Sequence, residues 1–414
     1  MIPPTMRFLC PFAFLFLTAC TASLWSDEPP TDSHAEGLTD LLTLEWTRPE
    51  ALSNGLAMIM PNNRGATLRV RPIDRVEEVR PDLEANTILD EYEWELSTGN
   101  GRLLPRGQGI CRYLPMRVTE EEPVVVIVRL TRTYTERRSG LRRDREHQVQ
   151  ATALARIVAP VSADHLDGQW RLRGYDIGEY PDPRDPDLLD ELRGEYDLVQ
   201  LYPERFEAPR WYYPVTEESR HWPISRHLRL GDFILDAPWF SLGMPQWIAL
   251  DLGLLSKLDD LADLMHADGY DFDRFTLVYG FRSPAYNLGR RDRDAEESLK
   301  SPFSQHMFGR AADIIIDTDG DHSLDDLNGD GEVTVRDAAV IMHYVNILDR
   351  RYRSEGDPRV GGAGLYDHHD FFERPVQTPY VHLDVRGFLR QNGTLFRWPA
   401  RWHDTGEPIQ WGEL

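Results

Sequence analysis

Residues 304–313 read Ser-Gln-His-Met-Phe-Gly-Arg-Ala-Ala-Asp, with a histidine and an aspartate seven positions apart and a glycine between them for a tight bend. Imidazole and carboxylate form a donor pair suited to zinc. Two donors do not complete a site, so the fold must deliver a third from elsewhere. His382, in Pro379-Tyr-Val-His-Leu-Asp-Val-Arg-Gly387, is the best candidate. Residues 380–385 alternate in polarity. As a strand they put Tyr380, His382 and Asp384 on one face and Val381, Leu383 and Val385 on the other. The apolar face belongs in a core and the polar face meets the metal. Ligation by His306, Asp313 and His382 leaves a fourth position for water, as in catalytic zinc sites. Zinc lowers the pKa of such a water towards roughly 7 and polarises a carbonyl.

Upstream, Trp247, Leu250, Leu254, Leu258, Leu261 and Met265 recur at helical spacing. Residues 246–267 are therefore expected as an amphipathic helix packed on a sheet, with Gly269 stopping it. Phe275-Thr-Leu-Val-Tyr279 reads as a strand leading into Gly280-Phe-Arg-Ser-Pro-Ala-Tyr-Asn287. This strand and its exit, the 304–313 motif, Gly361-Gly-Ala-Gly-Leu-Tyr366 and Val381-His-Leu-Asp384 follow one another in that order. Together they resemble the zinc D-alanyl-D-alanine peptidase family, in its murein-endopeptidase-like branch. The resemblance covers less than half of the chain, within 223–402. It implies a small α+β domain with a central antiparallel sheet and one catalytic zinc. The implied reaction is hydrolysis of amide bonds in peptidoglycan stem peptides or cross-links. Arg282 matches the family's substrate-side arginine, which could stabilise a developing oxyanion. Ser304 and Gly309 are expected to hold the loop.

The chain departs from the family at one position. The family often sets Glu or Asp three residues before the last histidine as general base, and here that position is Pro379. Asp384 is the nearest alternative base. It could equally be a partner that orients His382. Asp367-His-His-Asp370 is either a further source of acid–base groups or a solvated loop.

An acidic stretch follows Asp313. Counted from Asp326, positions 1, 3 and 5 are Asp326, Asn328 and Asp330. Position 6 is glycine, position 7 is Glu332, ligating through its carbonyl, and position 12 is Asp337. This is EF-hand ligand spacing for calcium. With Asp at position 12 it resembles the calcium loops of dockerins. Residues 338–348 are expected as the exiting helix, and 317–348 as an insert. Asp317, Asp319 and Asp321 are candidates for a second, incomplete calcium site.

The N-terminus bears on location. Arg7 precedes an apolar run from Phe8 to Ala19, too short to span a bilayer comfortably. The run closes in Leu17-Thr-Ala-Cys20, which resembles the bacterial lipobox. That reading makes 1–19 a signal peptide, Cys20 the lipid-bearing residue and 20–48 a flexible tether. An ordinary signal peptide cleaved near Ala19 or Ala22 is the alternative. Thr21 in place of aspartate favours the outer membrane, facing the periplasm. Between tether and peptidase-like domain, 49–160 alternates apolar and polar residues at 66–71 and 91–96, has its longest strand candidate at 124–134, and closes with a further strand-like stretch at 150–158. These suggest an all-β, immunoglobulin-like sandwich. Residues 161–222 are rich in proline and aromatics, and form a connector without an assigned fold.

Net charge is −23, from 69 acidic against 46 basic residues. That balance excludes non-specific nucleic-acid binding. Three functions stay open. The first is a lipid-anchored zinc peptidase with peptidoglycan as its partner. The second is a catalytically inactive peptidoglycan-binding lipoprotein, and the third a calcium-dependent adhesion or scaffold protein.

Overall fold

A computed structural model describes residues 42–46, 56–74, 85–115, 124–136, 145–186, 197–237, 240–241, 243–293, 301–367 and 378–398. The lipobox cysteine Cys20, the signal peptide and His368–Asp370 lie outside the described residues. No described helix is long and apolar enough to cross a membrane.

The N-terminal half contains two four-stranded sheets. One has the order β1 (Leu42–Trp46), β3 (Ala66–Asp74), β6 (Ile110–Leu114), β5 (Arg102–Gly107), antiparallel throughout. The other runs β2 (Met58–Ile59), β8 (Arg145–Val158), β7 (Val124–Glu136), β4 (Ala85–Thr98), with β2 parallel to β8. Burial with period two along β7 builds their shared core. Val124, Val126, Val128 and Leu130 are buried, and the first two meet Leu68, Tyr113, Ala155 and Ile157. The four strands expected from the sequence fall on β3, β4, β7 and β8. Residues 42–46, expected within the tether, instead pair along β3. Leu-Thr-Leu-Glu-Trp alternates as a strand does, which outweighs its polar flanks.

The described parts of 161–222 are built into the main core. Strand β9 (Val161–Ser162) leads to the hairpin β10 (Arg171–Leu172) and β11 (Tyr175–Asp176), then to a short helix α1 (Asp197–Leu201). Strand β12 (Trp211–Val215) pairs with β9 on one side. After the small hairpin β13 (Asp236–Ala237) and β14 (Phe240–Ser241), β15 (Gln246–Ile248) pairs with β12 on the other. Leu172, Ile177, Tyr180, Phe206, Tyr212 and Trp222 are buried in one cluster with the C-terminal sheet, and Ala57, Ile59 and Val158 from the first half join it.

The helix expected over 246–267 is α2 (Leu252–Ala267). Its first six positions are not helical. Trp247 is fully buried in strand β15, and Asp251 caps α2, its carboxylate accepting from the Gly253 N–H at 2.8 Å. Trp247 and Leu250 fit the helical spacing only because strand and helix bury residues against the same core.

The C-terminal sheet has the order β16 (Thr276–Tyr279), β17 (Ala311–Ile315), β19 (Tyr380–Asp384), β18 (Gly362–Tyr366), β20 (Phe396–Trp398). It is antiparallel except for β20, which runs parallel to β18. Helix α3 (Pro284–Arg293) follows β16. Helix α4 (Val335–Glu355) follows the acidic insert and is longer at both ends than the expected 338–348. Thr334 and Asp337 form a capping box at its start, and Gly356 closes its end in a left-handed conformation.

Candidate metal centre

Strand register creates the site. In β17 and β19, Asp313 stands directly opposite His382, and on the other side of β19 Gly364 of β18 does the same. Cross-strand partners share a face, so both polar side chains emerge together. His306 arrives from a short 3-10 turn over Gln305–Phe308, which ends at Gly309 with φ +66°. A Cβ at Gly309 would lie 2.3 Å from the Ala249 carbonyl oxygen, so the bend needs glycine for both conformation and space.

The three side chains converge. His306 Nε2 lies 3.2 Å from Asp313 Oδ1 and 3.1 Å from His382 Nδ1, and His382 Nδ1 lies 2.7 Å from the same Asp313 oxygen. Ligands on a tetrahedral zinc stand roughly 3.3 Å from one another. Two nitrogens and a carboxylate oxygen at these separations fit that ion, with a fourth position outside the protein's donor set. The remaining ring nitrogens fix which atom faces inward. His306 Nδ1 is 2.7 Å from the Gly280 carbonyl, so it carries the proton and leaves Nε2 its lone pair. His382 presents Nδ1 to the centre, and its Nε2 faces Asp384 Oδ2 at 3.5 Å.

Electrostatics follow from burial and pairing. Burial, with Arg282 nearby, lowers the His306 pKa to about 4. Burial opposes ionisation of Asp313, but His306 and His382 outweigh it and hold its carboxyl well below the usual range. For His382 burial again opposes the charged form, and the hydrogen bonds to Asp313 and Asp384 outweigh it, raising its pKa.

Arg282 borders the centre. Its Nη2 is 3.9 Å from Asp313 Oδ2 and its guanidinium lies over the Tyr279 ring, while its buried Nε has no hydrogen-bond partner among the described residues. Asp384 occupies a different position from a reacting base. Its carboxylate is fully buried and accepts from the Gly362 N–H at 2.7 Å, the Arg386 N–H at 3.1 Å and the Arg386 guanidinium. It meets the outer nitrogen of His382, away from the metal-facing donors. Of the two roles open to it, this geometry serves orientation of the ring. Trp398 packs on the His382 ring at 5.2 Å and donates to the Tyr366 hydroxyl at 3.0 Å.

Among the described residues, a second group of ligand-type side chains meets within 4.8 Å: Asp317, Asp319 and Asp325. Asp325, not Asp321, completes this trio, and Asp321 Oδ1 accepts from the Ser323 N–H at 2.7 Å. Asp325 is position 9 of a loop counted from Asp317. The loop predicted first, with Asp326, Asn328, Asp330, Glu332 and Asp337, has the same turn geometry. Asp326 accepts from Gly329 and Gly331 much as Asp317 accepts from Gly320 and His322. Its acids are not drawn into such a trio. Asp337 is fully buried and turns its oxygens to the N–H groups of Asn328 and Thr334. Oxygen-only donors of this kind fit a hard cation such as calcium.

The sequence did not point to several residues that support the centre: Gly280, Lys257, Arg386, Trp398 and Tyr180, whose hydroxyl donates to the Met307 carbonyl at 2.6 Å. Only Lys257 left a signal, as a charge on the apolar stripe of α2. Comparison with protein-family models, curated proteins and solved structures finds no match for the chain.

Proposed function

We propose that this chain is a zinc-dependent peptidase of the cell envelope, hydrolysing amide bonds in peptidoglycan stem peptides or cross-links. The observation that carries the reading is the meeting of His306 Nε2, Asp313 Oδ1 and His382 Nδ1 within 3.2 Å, from a turn and two strands. When bound, zinc supplies a Lewis acid for the scissile carbonyl. His306 and His382 hold the ion through nitrogens whose partners on the other side of each ring are fixed. Asp313 contributes charge that offsets the cation. Arg282, with a free N–H beside the centre, orients and stabilises the substrate oxygen. The lipobox-like run Leu17-Thr-Ala-Cys20 and the resemblance to murein endopeptidases support an envelope location and peptidoglycan as partner. The acidic insert is a structural calcium site that stiffens one side of the domain.

The test is zinc content of the purified protein together with mass spectrometry of digested sacculi. The reading expects about one zinc per chain and new amine termini that vanish with a chelator or with His306→Ala. Protein without zinc that releases nothing refutes it.

One observation favours a second reading, a silent peptidoglycan-binding protein. Pro379 stands where the family often has a carboxylate, and Asp384 is fully engaged by Arg386, Gly362 and His382. Retention on sacculi without cleavage, by protein loaded with zinc, supports that reading over the first.

A further inference from the structure

A second charged cluster lies beneath the strand that carries His382. Lys257 sits on the α2 face that otherwise buries Leu254, Leu258, Leu261 and Met265, and its side chain is fully buried. Its ammonium has three acceptors: Asp349 Oδ1 at 2.7 Å, the Asp384 carbonyl at 2.8 Å and the Arg359 carbonyl at 3.4 Å. An ammonium has three donors, and each has an acceptor here. The other oxygen of Asp349 takes Arg397 at 2.7 Å. Asp384 is thus held on both sides, by Lys257 at its main-chain carbonyl and by Arg386 and the Gly362 N–H at its carboxylate.

Lys257 and Lys300 are the only lysines among 46 basic residues. A planar guanidinium with five donors does not match three acceptors converging on a point, whereas a compact ammonium does. Stability alone is a poor reason to keep such a group, since apolar replacements of buried ion pairs are often neutral or stabilising. The second hold on Asp384 explains it better, because Asp384 is the residue that meets the outer nitrogen of His382.

We propose that Lys257 is a positioning residue of the metal centre: it fixes the Asp384 main chain so that the Asp384 carboxylate keeps His382 turned with Nδ1 towards Asp313 and His306. The proposal rests on the zinc reading above.

The experiment uses the full chain with Zn(II) and Co(II) as probes, measuring affinity by competition and the visible spectrum of the Co(II) form. The variants are Lys257→Met and Lys257→Met/Asp349→Leu. The double variant leaves no carboxylate stranded at 349. Leu261→Ala, a cavity on the same helix, is the control. The wild type is expected to bind one Co(II) with the strong absorption of a four-coordinate site. Both Lys257 variants are expected to fold, to bind zinc roughly 10–100-fold more weakly and to give an altered Co(II) spectrum. The control is expected to melt earlier with affinity and spectrum unchanged. Wild-type affinity and spectrum in the Lys257 variants overturn the proposal and leave the zinc reading intact. An equal loss of affinity in Leu261→Ala overturns it too, as does failure of both Lys257 variants to fold. A wild type that binds neither ion overturns the zinc reading and this proposal with it.

Discussion

Gly309 and Gly356 provide a matched pair for testing how the metal motif is built. Their backbones are nearly identical, φ +66° and ψ 25° against φ +68° and ψ 25°. Alanine in this left-handed conformation costs about 1–2 kcal/mol at either site, reduced by about 0.4–1 kcal/mol through the less flexible unfolded chain. The surroundings differ. A Cβ at Gly356 meets nothing within 4 Å, whereas at Gly309 it would lie 2.3 Å from the Ala249 oxygen and 2.4 Å from its carbon. Those are main-chain atoms next to the start of α2, and the Gly309 carbonyl also accepts from the Asp251 N–H at 2.9 Å. Forcing them apart is overpacking, worth about 1–3 kcal/mol more. Gly309→Ala is therefore expected to melt roughly 2–12 °C below Gly356→Ala, at about 2–4 °C per kcal/mol for a domain of this size. His306 and Asp313 flank the bend, so zinc affinity should fall in Gly309→Ala and stay unchanged in Gly356→Ala. Thermal denaturation and zinc competition on both variants check this. Equal melting temperatures and equal affinities would refute the steric account of the bend.

Three further outcomes are expected. The His382 pKa is raised by Asp313 and Asp384 against burial, so below it zinc must displace a proton; apparent affinity then climbs about tenfold per pH unit and flattens above that pKa. His306, held at about 4, adds no slope above pH 5, and calorimetry in buffers of different protonation enthalpy should count about one proton per zinc; an affinity flat from pH 5 to 8 contradicts this. Tyr180→Phe strips the Met307 carbonyl of its 2.6 Å donor in a buried setting, and should cost about 1–3 kcal/mol in urea denaturation; a wild-type midpoint speaks against the clamp. Calcium at a hundred times its dissociation constant should add about 2.7 kcal/mol of stability for each loop that binds it. Asp317→Ala and Asp326→Ala each remove one loop's share, and a melting temperature indifferent to calcium removes the metal from the insert.

What the sequence revealed depended on how far apart the cooperating residues lie. Strand β7 was legible as a strand from its run of β-branched residues, but its core face was not, because Val125 and Ile127 are as apolar as the buried Val124, Val126 and Val128. The faces of the His382 strand were legible because Tyr380, His382 and Asp384 alternate with Val381, Leu383 and Val385. The start of α2 was not, because Trp247 is buried whether its segment is helix or strand, and Asp251 decides the boundary through one short hydrogen bond. Residues 161–222 resisted because their order comes from distant partners: Tyr180 reaches Met307 across 127 positions and Tyr213 reaches Met60 across 153. Lys257 pairs with Asp349 over 92 positions, with no local pattern to announce the pair. The role of Asp384 stayed divided in the sequence because strand alternation gives the face of a side chain, not which nitrogen of a neighbouring ring it meets.

The metal centre and the acidic insert share one dependence on register. Asp313 meets His382 only while Ala311 pairs with Asp384 and Ile314 with Val381, and a slip of one residue would turn one member of the pair to the opposite face. The insert departs just beyond the end of β17, away from the turn that carries His306. There the Asp325 N–H donates to the Ile316 carbonyl at 2.9 Å, and the Leu324 N–H donates to Thr378 Oγ1 at 2.7 Å. Thr378 is buried two residues before β19 begins. The acidic loops therefore tie the exit of one ligand-bearing strand to the entry of the other. An insert at this end can lengthen at little entropic cost, since closure grows only logarithmically with loop length. An ion that stiffens those loops would act on Asp313 and His382 through strand register, without contact to either side chain.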